Sequence, residues 1–312
     1  EAVDATGSSS SAHGSSSSGT GASGSSTAAA DSSSSSGETM LPECPSYAAG
    51  IAAATISDPE LEEISGIAAS RMYDGVSWVH NDSGDGPRVF AVGVLGATLA
   101  ELEIAGAFAL DWEDMALGPG PEPGVDYLYF GDVGDNPELR ANVTVYRVPE
   151  PDPNLGSGTL DGAEALTLDY ADGSHNAETL LVDPTTGDLA IVTKSERGST
   201  VWWAAAPLEV GGTIQLEAIA ELPFGSAALP GSPLATGGDI APDGSLIVVR
   251  TLDAVFGWRR SADASLADAF ATEPCALPMV DEEQGEALAV LDGAYLTVSE
   301  GEMSTVWRFE KI

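Results

Sequence analysis

A fivefold repeat at the spacing of a four-stranded blade, a hairpin turn inside each repeat, and a composition that breaks long helices together predict an all-β fold. The expected architecture is a β-propeller of five blades, with six as the alternative. Gly and Pro number 36 and 19 in 312 residues, and 43% of the chain is hydrophobic, so a core can form where long helices cannot. The expected organisation is a disordered Ser/Gly-rich tether over residues 1–40, followed by one propeller domain over residues 41–312.

The tether is read from composition. Up to Gly37 the chain is almost entirely Ser, Gly, Ala and Thr, without Lys or Arg, and such a segment cannot bury apolar surface. The first residue is Glu1 rather than Met, which leads us to expect that a targeting segment has been removed. The expected location is extracellular or at the cell surface. Two forms stay open: a lipoprotein acylated on a Cys preceding Glu1, and a freely secreted protein with an ordinary linker. No stretch approaches the roughly 18–20 apolar residues that span a bilayer, so no membrane span is expected. Cys44 and Cys275 are the two cysteines, and an even pair in an exported chain reads as a disulfide, with two buried thiols as the alternative.

Each repeat opens on small or acidic residues followed by a short apolar run. The five are Ser65-Gly66-Ile67-Ala68, Glu113-Asp114-Met115-Ala116, Glu178-Thr179-Leu180-Leu181, Gly238-Asp239-Ile240-Ala241 and Glu286-Ala287-Leu288-Ala289, with starts 48, 65, 60 and 48 residues apart. Turns such as Asp74-Gly75, Gly187-Asp188, Asp243-Gly244 and Asp292-Gly293 then lead into second β-rich runs. The last repeat ends at Ile312 after its third strand. The stretch Ala48–Ile56 is expected to fill that open edge and close the ring, which would bring Cys44 near Cys275.

In a propeller the start of each first strand and the end of each second strand meet at one face of the central channel. That geometry gathers Glu113, Asp114, Glu178, Asp239 and Glu286 as metal ligands, because clustered carboxylates repel unless protonated or neutralised. Oxygen-only donors favour calcium, with magnesium or manganese next. His80, His175 and Asp82 are the candidate catalytic groups. Lys194, Arg250, Asn81 and Asp132 are the candidate substrate-binding groups, the two cations suiting an anionic moiety. Carboxylates in these positions can also serve as backbone acceptors, and Asp and Asn in Gly-containing loops as turn residues.

Charge narrows the partners. With 49 Asp plus Glu against 11 Lys plus Arg the formal net charge is −38, so nucleic acid is excluded as a partner, and a soluble monomer with a small-molecule or surface ligand in the funnel is expected.

The runs Ile64-Ser65-Gly66-Ile67-Ala68, His80-Asn81-Asp82-Ser83-Gly84, Asp111-Trp112-Glu113-Asp114-Met115-Ala116 and Gly131-Asp132-Val133-Gly134-Asp135-Asn136 resemble secreted bacterial propellers described as phytase-like, with esterase-like activity. More distantly, the chain is similar to the gluconolactonase and regucalcin propellers. The resemblance covers residues 60–310 and implies a propeller with a metal-carrying central face that hydrolyses an ester, lactone or phosphoester. It also implies a Glu, Asn and Asp ligand set on Glu113, Asn176 or Glu178, and Asp239. The alternative to a metal-dependent hydrolase is a non-catalytic, calcium-stabilised propeller that binds a protein or glycan.

Overall fold

The computed structural model describes residues 43–312, so the expected tether lies outside the described residues. Those residues form an all-β structure of 21 strands with one five-residue helix. The first sheet runs β2 (Ile64–Ala69), β3 (Val76–Asn81), β4 (Arg88–Gly93) and β5 (Thr98–Ile104), and β9 (Ser157–Leu160) adds in parallel outside β5. An eight-stranded sheet follows the order β6 (Trp112–Pro119), β7 (Asp126–Asp132), β8 (Val143–Pro149), β10 (Glu164–Tyr170), β14 (Thr213–Leu222), β13 (Ser199–Ala204), β12 (Leu189–Thr193), β11 (Ala177–Val182). Its middle is a parallel pairing of β10 with β14, so a first strand stands at either end.

The third sheet is β15 (Ala235–Ile240), β16 (Leu246–Thr251), β17 (Val255–Arg259) and β18 (Cys275–Leu277). The fourth is β19 (Gly285–Leu291), β20 (Ala294–Ser299), β21 (Thr305–Glu310) and, from the other end of the chain, β1 (Ile51–Thr55). The N-terminal strand thus completes the last sheet by antiparallel pairing with β21. A disulfide joins Cys44, just before β1, to Cys275 on the outermost strand of the neighbouring sheet. It closes a loop of 231 residues, and a cross-link over that length removes much of the unfolded chain's freedom.

The five strands β2, β6, β11, β15 and β19 contact one another in that cyclic order, β19 returning to β2, and this closed ring makes the structure propeller-like. Their apolar runs suit strands buried on both faces, and every residue of β11 is buried. Apolar clusters fill the spaces between adjacent sheets. Trp78, Trp112 and Trp258 are fully buried there, with Trp112 stacked on Phe130 at a centroid distance of 4.9 Å. Truncating such a ring to Ala costs about 3–5 kcal/mol. No helix among the described residues is long and apolar enough to cross a membrane.

Candidate metal centre at one end of the channel

The same irregularity recurs in all five ring strands. Where each pairs with its second strand, the register slips near the start, between Ile64 and Gly66, Trp112 and Met115, Ala177 and Thr179, Ala235 and Gly237, and Gly285 and Ala287. Such a bulge leaves residues out of the ladder and re-aims their side chains. The bulged residues are Ser65, Glu113 with Asp114, Glu178, Thr236 and Glu286. Three repeats therefore deliver a Glu at one register.

The ends of the second strands supply the facing groups, again by one rule. The backbone N–H of Asp82 donates to Glu63 O, that of Gly134 to Asp111 O, that of Lys194 to Asn176 O and that of Glu300 to Gln284 O. Asp82, Lys194 and Glu300 thus stand at matching positions, and the second repeat has Gly134 there. A Cβ on Gly134 would collide with Glu113 Oε1 and Asp111 Oδ2, so the missing side chain makes room for two carboxylates. Asp82, Asp111 and Glu113 each present a carboxylate oxygen within 4.8 Å of the others. Asp132 holds Asp111 in place by accepting its N–H at 3.0 Å, and itself accepts from Arg140 Nη1 at 2.9 Å.

The electrostatics follow from this crowding. Burial first, and then the charges of Glu178, Asp82 and Asp111, push the Glu113 carboxyl far above the usual carboxylate range. Burial also raises Glu178, against the pull of Lys194 Nζ, which donates to Glu178 Oε2. Glu286 is pushed up to about 8 by burial and by the charge of Glu178. Asp82 and Asp111 rise too, chiefly through burial. Every donor is an oxygen, no protein hydrogen bond reaches the Glu113 carboxylate among the described residues, and a glycine leaves space beside it. This donor set fits a hard divalent cation.

The other sequence-selected residues lie elsewhere or have other partners. Asp114 is fully buried, and its carboxylate accepts N–H bonds from Met115, Leu180 and Gly238, which ties three ring strands together. Asp239 accepts from Ile240 and Val290; it sits three residues past Thr236, which is the residue actually at the bulge. His80 is fully buried, edge-on to Trp112 and Phe130, with Nδ1 2.8 Å from Asn81 O, and burial lowers its pKa. His175 contacts Asp172 at 2.7 Å and lies against the Tyr170 and Trp202 rings.

Asn81 braces a loop through Glu60 O and Asp85. Arg250 is fully buried, 3.1 Å from Glu282, and donates to Ala287 O; of the two expected cations, Lys194 is the one beside the cluster. Asp111 is the cluster member that register reasoning passed over. Its signal was its place one residue before β6, in the run Asp111-Trp112-Glu113-Asp114.

No protein-family model and no curated protein matches the chain. Among solved structures it is similar to the nidogen/laminin complex, at 12% identity and a TM-score of 0.44, covering 76% of this chain and 72% of that one. It is similar to a protein provisionally assigned as a gluconolactonase, at 14% identity and a TM-score of 0.45, covering 86% and 89%. A third is a protein provisionally assigned as an oxidoreductase (glucose dehydrogenase) from Thermus thermophilus, at 13% identity and a TM-score of 0.42, covering 81% and 98%.

Proposed function

We propose that this protein is an exported metal-dependent hydrolase of ester, lactone or phosphoester bonds, working at a divalent cation, calcium by preference, held by Asp82, Asp111 and Glu113. The observation that carries this reading is the convergence of those three carboxylates within 4.8 Å. Three of the four runs behind the phytase-like resemblance meet at the same point, supplying Asp82, Asp111 with Glu113, and Gly134. We read the scaffold as one five-bladed propeller over residues 41–312. Each ring strand leads one blade, and the eight-stranded sheet is two blades joined at β10 and β14.

A bound cation would polarise the carbonyl or phosphoryl oxygen and acidify a water. The chain's own residues do the rest. Glu178 accepts the proton of the attacking water and returns it to the leaving oxygen, its proton affinity raised by burial toward the neutral range that suits a general base. Lys194 orients Glu178 through their ion pair. Glu113 and Asp111 are kept close by Gly134, and Asp132 fixes the loop that carries Asp111.

The disulfide supports an oxidising, extracellular setting, whether the chain is lipid-anchored or free. A purely structural cation in a binding propeller is favoured by one observation, the direct pairing of Lys194 with Glu178, which uses both groups. Turnover separates the two. Chelator-stripped protein reloaded with calcium should hydrolyse aryl esters, lactones or phosphodiesters, and Glu178→Gln should lower kcat by about 10²-fold or more while keeping calcium affinity within a few-fold. No calcium-dependent turnover on any of these, with calcium bound, would leave the structural role as the better account.

A further inference from the structure

An open groove of about 460 Å³ meets the site at Lys194, the ion-pair partner of Glu178, and is lined also by Asn136, Glu138, Asn176, Glu196 and Arg197. Cations are scarce in this chain, and nearly all of them are engaged. Arg71, Arg88, Arg140, Arg147, Arg250, Arg260 and Arg308 each contact a carboxylate. Arg197 is exposed, and its hydrogen bond runs from its backbone N–H to Ser195 Oγ at 3.2 Å, leaving the guanidinium unpaired among the described residues. In a protein where carboxylates outnumber cations 49 to 11, an unpaired guanidinium in a groove is a place for an anion from outside.

One wall of the groove is built under strain. Glu138 has φ 52, a left-handed conformation that L side chains rarely adopt. It is fixed there by its own N–H to Asp135 O at 2.7 Å, while the Asp135 carboxylate takes the N–H groups of Leu139 and Arg140. The groove is therefore shaped before any ligand arrives. Its chemistry selects one negative charge. The planar fork of Arg197 matches a carboxylate, Lys194 adds a point charge already shared with Glu178, and the Asn136 amide is a neutral donor. Glu138 and Glu196, both lining the same groove, and the net charge of −38 oppose a polyanion.

We infer that this groove captures the carboxylate of a monoanionic substrate through Arg197 and Lys194, setting the bond to be cut over Asp82, Asp111 and Glu113. The placement over the cluster rests on the hydrolase reading above; carboxylate capture can be measured without it. The test follows the side-chain Nε–H resonance of Arg197 in calcium-loaded ¹⁵N-labelled protein. Benzoate is the probe, benzamide its neutral counterpart, and inorganic phosphate the competing anion.

Benzoate should shift the resonance saturably, and benzamide and phosphate should bind about tenfold more weakly or not at all. Arg197→Gln, a change on the surface, should weaken benzoate binding, followed on the Asn136 amide, about tenfold and leave calcium affinity within twofold. Asp82→Asn should do the reverse, losing calcium and keeping benzoate binding within about threefold, so each reading can fail alone. No saturable shift with benzoate, equal binding of benzamide or phosphate, or unchanged benzoate affinity in Arg197→Gln would overturn the proposal.

Discussion

Glu113 and Asp114 are neighbours on the same bulge of β6, both buried and both acidic, and the fold uses them in opposite ways. Asp114 lies where three backbone N–H groups from three ring strands converge, so its charge is consumed in holding the ring together. Glu113 turns to the other side, toward Asp82, Asp111 and the gap left by Gly134, and no protein donor reaches it among the described residues. What separates the two carboxylates is the number of protein donors aimed at each, rather than burial or place in the repeat. Burial raises the proton affinity of both, yet of the two only Asp114 is held by protein donors.

The sharpest way to break this contrast is to truncate each in turn. Asp114→Ala orphans three buried N–H groups and should cost about 3–5 kcal/mol in denaturant unfolding, while the folded fraction binds calcium nearly as before. Glu113→Gln should leave the stability of the metal-free protein unchanged or higher, since it relieves like-charge repulsion, and should lower calcium affinity about 10²-fold by calorimetry. Equal loss of stability in both variants would erase the distinction.

A smaller effect tests the space between the carboxylates. Gly134→Ala places a methyl group against Glu113 Oε1 and Asp111 Oδ2 and should weaken calcium about tenfold with a loss of roughly 1 kcal/mol in stability. Smaller still is a pH effect with an unusual sign. Glu286 has its folded pKa raised to about 8 from a model-peptide value of 4.5, so between those limits the folded state binds a proton that the unfolded state has released. Stability of the metal-free protein should therefore fall as pH rises from about 5 to 8, by roughly 1–2 kcal/mol or about 2–6 °C in Tm. Asp183 does not mask this: burial opposes its ionisation, but Arg260 and Thr185 hold its pKa down to about 2, so its contribution is lost only well below that window. Saturating calcium should flatten the slope, and a slope of the opposite sign in differential scanning calorimetry would contradict the proposed charge crowding.

The repeat, the strand that closes the ring and the Glu at three repeat starts were legible in the sequence, because apolar runs, hairpin turns and acidic starts are local signals. What depends on register was not. In the fourth repeat the apolar run after Gly238 suggested Asp239 as the match to Glu178, whereas the bulge falls at Thr236, hidden in a small-residue stretch that carries no acid. His80 is the penultimate residue of a strand covered by neighbouring sheets, so its ring enters the core, and nothing in a loop-like His-Asn-Asp-Ser-Gly run reveals which side it faces. Arg250 looked like a funnel cation because its buried partner, Glu282, lies 32 residues further on.

Calorimetric titration of chelator-stripped protein with calcium, on the wild-type chain and on Asp82→Asn, tests the central claim most directly. One site with Kd at or below about 10⁻⁵ M, lost by 10²-fold or more in the variant, is the predicted result. Absence of binding, or binding that Asp82→Asn leaves intact, would mean that the three carboxylates do not form a metal centre.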